Sequence, residues 1–182
     1  MKQSFQLKAA MVFVIALLFS GLTYAQDTMK PEKKTLLSPR DSVSGVVDGA
    51  SININYGSPS VRGRVIWGSL EHYDTVWRAG ANEATRFTTN KAIIVEGQAL
   101  PAGTYGFFVI PGRTTWTVIF NSVPNQWGAF KYDSSKDVLR VTVKPISVDM
   151  HERLVYTISD KGFALIWDKI MIPVQVKPSM VQ

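Results

Sequence analysis

Between Ser42 and Tyr56 the chain reads SVSGVVDGASININY, and in its second half apolar and polar residues change places at every step. Successive side chains of an extended strand point to opposite faces, so Ile52, Ile54 and Tyr56 fall on one side and Asn53 and Asn55 on the other. Asp48-Gly49, ahead of that run, is a dipeptide favoured in two-residue hairpins, whose central residues need positive φ. The pattern returns in ATRFTTN, AIIVEG, TYGFFVI, TWTVIFN, VLRVTVKPIS, RLVYTIS and FALIW. Turn-forming residues separate these runs at Glu96-Gly97, Pro101-Ala102-Gly103, Pro111-Gly112, Val123-Pro124-Asn125 and Asp160-Lys161-Gly162. Many short strands at spacings of about ten residues, with no long helical period, predict an all-β fold. The expected architecture is a single-domain antiparallel two-sheet β-sandwich with little helix, the segment QWGAFKYDSSKDV being a long connection with one helical turn.

The beginning of the chain obeys different rules. MKQSFQLK carries Lys2 and Lys8, the apolar run AAMVFVIALLFSGL follows, and small residues close it at TYAQ. That order is the layout of a secretory signal peptide, with cleavage expected after Ala25 and Thr23 at the minus-three position. A membrane span needs about 20 predominantly apolar residues, more than Ala9 to Leu22 supplies, so no stable span is expected after cleavage. The reading of the chain is therefore signal peptide 1–25, flexible linker 26–37, β-sandwich 38–176 and a frayed tail 177–182, in a protein that is periplasmic or secreted. The chain has no cysteine, which excludes disulfides and lipid attachment through a thiol. An exported fold of this kind relies on its core alone, and a domain of this size buries enough surface to do so.

The formal charge of +6 falls when Lys2 and Lys8 leave with the signal. The remaining basic residues are scattered, apart from Lys30, Lys33, Lys34 and Arg40 in the linker-like DTMKPEKKTLLSPR. Nucleic-acid binding calls for a concentrated basic face, and none is expected here. No G-x-S-x-G elbow, P-loop, G-x-G-x-x-G or H-E-x-x-H is present, and His151-Glu152 lacks the second histidine of the last. His72 stands beside Glu71 and Asp74, but two histidines in the whole chain are poor material for a zinc site or a serine triad. Neither a metal nor a cofactor is expected. A carboxylate pair for glycan cleavage could form if two of Glu83, Glu96, Asp74 and Asp168 approached one another across the sheets.

Aromatic residues in alternating strands, such as Trp116 and Trp167, belong to the core or to cross-strand pairs. Trp127, next to Gly128 in the long connection, is the candidate for an exposed aromatic contact. The stretch WRAGANEATRF, Trp77 to Phe87, admits two readings. In one, Trp77 fills the core, Gly80 and Asn82 turn the chain, and Glu83 pairs with Arg78 or Arg86. In the other, Arg78, Asn82 and Glu83 join Arg62 and Arg64 of PSVRGR in a pocket for an anionic or hydroxyl-rich ligand.

The ordered series SPRDSVSGVVDGASININYGSPSVRGRVIWGSL, VWRAGANEATRF, LPAGTYGFFVIPG, WTVIFN, QWGAF and DVLRVTV resembles the DUF 2911 family of exported bacterial proteins over roughly Ser38 to Val176. The resemblance implies a secreted all-β domain and no activity. The family pattern often carries an arginine before the proline of PSVRGR and a threonine after WR, where this chain has Ser58 and Ala79. The expected function is a binding or envelope-associated structural module, with a polar small molecule, glycan or envelope component as partner. The alternative is a hydrolase of glycans or esters using Glu83 as acid or base, its proton affinity tuned by Arg78. Expressed at full length in a secreting bacterium, the protein should begin near Gln26; intact-mass analysis that finds Met1 retained in membranes would contradict the signal-peptide assignment.

Overall fold

A computed structural model describes residues 37–179; the expected signal peptide, all of the expected linker but Leu37, and the last three residues lie outside it. The described chain forms two antiparallel sheets that face each other. The larger takes the order β1-β2-β3-β6-β7-β8 and the smaller β5-β4-β10-β9. Their strands are β1 (Arg40–Val47), β2 (Ala50–Gly57), β3 (Thr85–Thr89), β4 (Ile93–Val95), β5 (Gln98–Leu100), β6 (Gly103–Ile110), β7 (Trp116–Asn121), β8 (Asp137–Val143), β9 (Ile146–Ser159) and β10 (Gly162–Pro178). Among the described residues the one helical piece is the 3-10 turn Ser134–Lys136. Edge strand β1 packs against β9 and β5 against β8, yet hydrogen bonds do not carry either sheet into the other. The result is the expected sandwich.

Local chemistry sets the hairpins. Val47 faces Ala50 across the β1–β2 ladder, leaving Asp48 and Gly49 as the loop with φ of 48° and 78°. Glu96 and Gly97 repeat this between β4 and β5, at 47° and 84°. Both pairs have the twist that suits flanking strands. The longest hairpin joins β9 to β10. Its register shifts on both sides of Asp168, which has φ of 55°; this bulge breaks the alternation that FALIW begins. At the far end β10 runs beyond the expected boundary at 176, because Lys177 and Pro178 lie opposite Ile94 and Ile93 of β4.

The alternation seen in the sequence becomes the core. Ile52, Ile54 and Tyr56 are buried while Asn53 and Asn55 are half-buried on the other face. Between the sheets, Phe87 meets Phe120 edge-on at 5.0 Å and Phe163 of the opposite sheet at 5.2 Å. Trp67 packs against Trp116 at 4.7 Å and against Trp77 and Trp167 at 5.7 Å each. Buried aromatics contribute about 150–250 Å² each, an area that stands in for absent cross-links. TYGFFVI and TWTVIF hide residues on both faces of the sheet. Phe107 and Phe120 face the main core, whereas Phe108 and Ile119 form a separate small cluster with Ala84. Val76, Ala129 and Tyr132 close over that cluster, so the long connection after β7 lies on the outer face of the large sheet.

Placing an unpaired charge at Ile54 should cost several kcal/mol, whereas Asn53→Asp on the outer face should cost less than about 1 kcal/mol. Equal falls in melting temperature for Ile54→Asp and Asn53→Asp would show that the faces are assigned wrongly.

Candidate functional site

The stretch Trp77 to Glu83 is a loop fastened at each step. The Trp77 amide donates to the Val109 carbonyl at 2.8 Å, and the Trp77 carbonyl accepts from the Val109 amide at 2.9 Å. The Trp77 indole donates to the Gly80 carbonyl. Positive φ falls on Ala79 and Asn82, at 52° and 65°, so these two residues turn the chain. Gly80 instead permits a close approach, since a Cβ there would meet the Thr85 hydroxyl at 2.9 Å and the Gly57 carbonyl at 3.0 Å. The Ala79 carbonyl accepts from the hydroxyls of Thr85 and Tyr156, at 2.9 and 2.8 Å. Burial and loss of hydration push the Tyr156 phenol well above its ordinary range, which keeps it a donor.

The residues that sequence reasoning grouped into one pocket divide between two cavities. The first is an open cleft of about 650 Å³ whose lining includes Arg40, Asn55, Glu83, Arg86, Asn125 and Trp127. Its floor is the outer face of the large sheet, where Asn55 of β2 lies opposite Arg86 of β3. Glu83 pairs with Arg40 at 3.3 Å, not with Arg78 or Arg86. Arg40 also donates to the Asn55 amide oxygen, and Arg86 donates to Asn125. Arg40 read as part of a basic linker, but the register that sets it opposite Gly57 makes it the first residue of β1 and a wall of the cleft.

Trp127 is 61% exposed, and its backbone position is nevertheless fixed. The Ala84 amide donates to the Gln126 carbonyl and the Gly128 amide to the Asn82 carbonyl, with Glu83 and Trp127 bridged between them. Asn121, fully buried, anchors both ends of the connection: it donates to the Asp133 carbonyl and the Asp137 carboxylate and accepts from the Val123 amide. The Oε1 of Gln126 is a buried acceptor without a partner among the described residues. Glu83 is the only carboxylate lining this cleft among the described residues. Glu96 sits in the β4–β5 turn, Asp74 beside Pro111 and Asp168 in the β10 bulge, and none of the three lines the cleft beside Glu83.

The second cavity, of about 300 Å³, lies on the other side of the loop and is lined by Arg64, Glu71, Arg78, Asn82 and Trp167 among others. Arg62 stays outside it, donating to the Leu37 carbonyl, while its own amide donates to Glu152. Sequence reasoning noticed Glu71 only as a neighbour of His72. Its burial depends on the turn in which the Glu71 amide donates to Ile66 and its carbonyl accepts from Gly68, a turn whose apolar anchors are distant in sequence. Burial raises the Glu71 carboxyl to about 7, against the opposing pull of Arg78 and Arg64.

A carboxyl that ionises less readily in the folded state than in the unfolded one binds an extra proton on folding. Stability therefore declines as pH rises from about 4.5 to about 7. Glu71→Gln, which cannot ionise, should match the parent near pH 4.5 and exceed it at pH 8 by on the order of 2 kcal/mol. Denaturation midpoints across that range test this; a parent that gains stability with rising pH relative to Glu71→Gln would reject it.

No curated protein and no solved structure matches the sequence. The match that does exist spans residues 38–176, which takes in every strand but the last two residues of β10. It is to the model of the family described as "Protein of unknown function (DUF2911)", and the chain belongs to that family.

Proposed function

We propose that the protein is an exported binding module of the cell envelope whose open cleft takes a hydroxyl-rich ligand, a segment of glycan. The observation that carries this reading is Trp127, an indole left largely in water by a connection whose backbone is held on both sides. A large aromatic face offered at the mouth of a polar cleft is the usual arrangement for stacking a sugar ring, whose C–H face is apolar and whose rim is polar. The groups around Trp127 suit such a rim. Arg40 and Arg86 supply donors, Glu83 and Asn125 supply acceptors, and hydroxyls can answer both kinds.

Glu83, the lone carboxylate of the cleft among the described residues and ion-paired with Arg40, favours binding over hydrolysis. Holding Trp127 in place before the ligand arrives also spares part of the ordering cost that a mobile loop would incur. The full-length chain, expressed in a secreting host and purified, should bind soluble oligosaccharides from envelope glycans with a change in Trp127 fluorescence. Trp127→Ala should weaken that binding about tenfold or more, as truncation of an aromatic hot spot does, with the melting temperature unchanged. Glycan binding that Trp127→Ala leaves intact, or no glycan binding by the folded protein, would reject the proposal.

A further inference from the structure

The structure also points to a second, independent site: we infer that the inner cavity binds the carboxylate of a small organic acid or of a peptide end, against Arg78 and Trp167. Trp167 is completely buried, lines the cavity, and its indole N–H has no hydrogen-bond partner among the described residues. The Nε of Arg78 is buried and unpartnered in the same way. No ion pair joins Arg78 to Glu71 either, since the ion pairs among the described residues are those of Arg40 and Arg140.

The Trp67 indole N–H, packed against Trp167, is a third buried donor without a partner among the described residues, but Trp67 does not line the cavity; other donors around the cavity are satisfied. Arg64 donates from Nε and Nη2 to the Val61 and Ser60 carbonyls. The Asn82 amide donates to Ser38 and the Trp77 indole to Gly80. Buried polar groups in folded proteins are nearly always paired, and an orphaned donor at a cavity wall is where an incoming acceptor gains most. Here one orphan belongs to a guanidinium, whose planar fork matches a carboxylate.

Charge selects the same class. Arg64, Arg78 and Glu71 are the charged groups lining the cavity, so it is positive when Glu71 is protonated and remains so, less strongly, when Glu71 ionises. Glu71 also favours a carboxylate over a phosphate dianion: once it ionises, the two arginines leave one net positive charge, which a single negative charge matches and a second exceeds, and when it is protonated it can donate a hydrogen bond to the carboxylate. Pro59 and Leu70 in the wall give the organic remainder an apolar seat. Because burial keeps Glu71 partly protonated near neutrality, with Arg78 and Arg64 the charged groups facing it, carboxylate binding should tighten as pH falls from about 8 to about 6.

The experiment follows the indole N–H signals by ¹⁵N NMR in the purified full-chain product while acetate, inorganic phosphate, N-acetyl-dialanine and its C-terminal amide are titrated at pH 6 and pH 8. The expected result is a saturable shift of the Trp167 indole N–H with acetate or N-acetyl-dialanine, stronger at pH 6, and none with the amide. Arg78→Gln, followed at the Trp167 indole N–H, and Trp167→Phe, followed at the neighbouring Trp67 indole N–H and by calorimetry, should each weaken binding about tenfold or more, whereas Trp127→Ala should leave it unchanged. A stronger response to the peptide than to acetate assigns the carboxylate to a chain end, and the reverse assigns it to a free acid; both support the site. Carboxylate binding lost in Trp127→Ala and kept in a folded Arg78→Gln would place the ligand in the cleft and overturn the inference. Preference for phosphate, or no shift at millimolar carboxylate at either pH, would overturn it as well.

Discussion

A missing side chain at Gly57 is the constraint on which both cavities depend. A Cβ at that position would lie 2.0 Å from the Ala81 carbonyl oxygen, closer than any neighbour could yield. With hydrogen there instead, the loop settles onto the end of β2 and the Ala81 amide donates to the Gly57 carbonyl. The two hydroxyls on the Ala79 carbonyl then tie the same loop to both sheets, Thr85 from the large one and Tyr156 from the small one. Ala79 holds a left-handed conformation at a cost that only such over-determined surroundings sustain. Because the loop is pinned at this level, residues 78 and 80–82 border one cavity and residues 83 and 84 the other.

Those cavities handle charge in opposite ways. In the cleft, Arg40 and Glu83 meet in the presence of water, and an exposed pair of this kind contributes at most about 1 kcal/mol. In the inner cavity Glu71 and Arg78 are more sheltered and do not form an ion pair, an arrangement that lowers stability. Proteins tolerate such a loss where a group has another use.

Most of the architecture was legible because period-two alternation is a property of the strand itself, and SININY declares its inner face without help from distant residues. The limits of legibility have equally definite causes. TYGFFVI is apolar on both faces because the connection carrying Ala129 and Tyr132 returns over Phe108 and Ile119, a contact between segments far apart in the chain. Arg78 and Glu83, five residues apart, look like natural partners, yet two positive-φ residues between them, Ala79 and Asn82, send them to separate cavities. Arg40 looked like one more charge of a basic leader because its partner Glu83 is set by the β1–β2–β3 register. Trp127 stood out in the sequence as a bulky indole beside a glycine in a stretch without alternation, and the same lack of strand packing leaves it exposed in the fold.

The two walls of the cleft differ in how they are held. Trp127 stands on a connection fixed by backbone bonds, by Asn121 and by the small aromatic cluster beneath it. Arg40 opens β1, an edge strand whose hydrogen-bonded neighbour among the described residues is β2, and it is held from the segment before it: the Pro39 carbonyl accepts from the Ser58 amide and the Ser38 carbonyl from the Asn82 side chain. Asn82 belongs to the same loop as Glu83, so the loop that divides the two cavities also braces the strand end that faces Trp127 across the cleft.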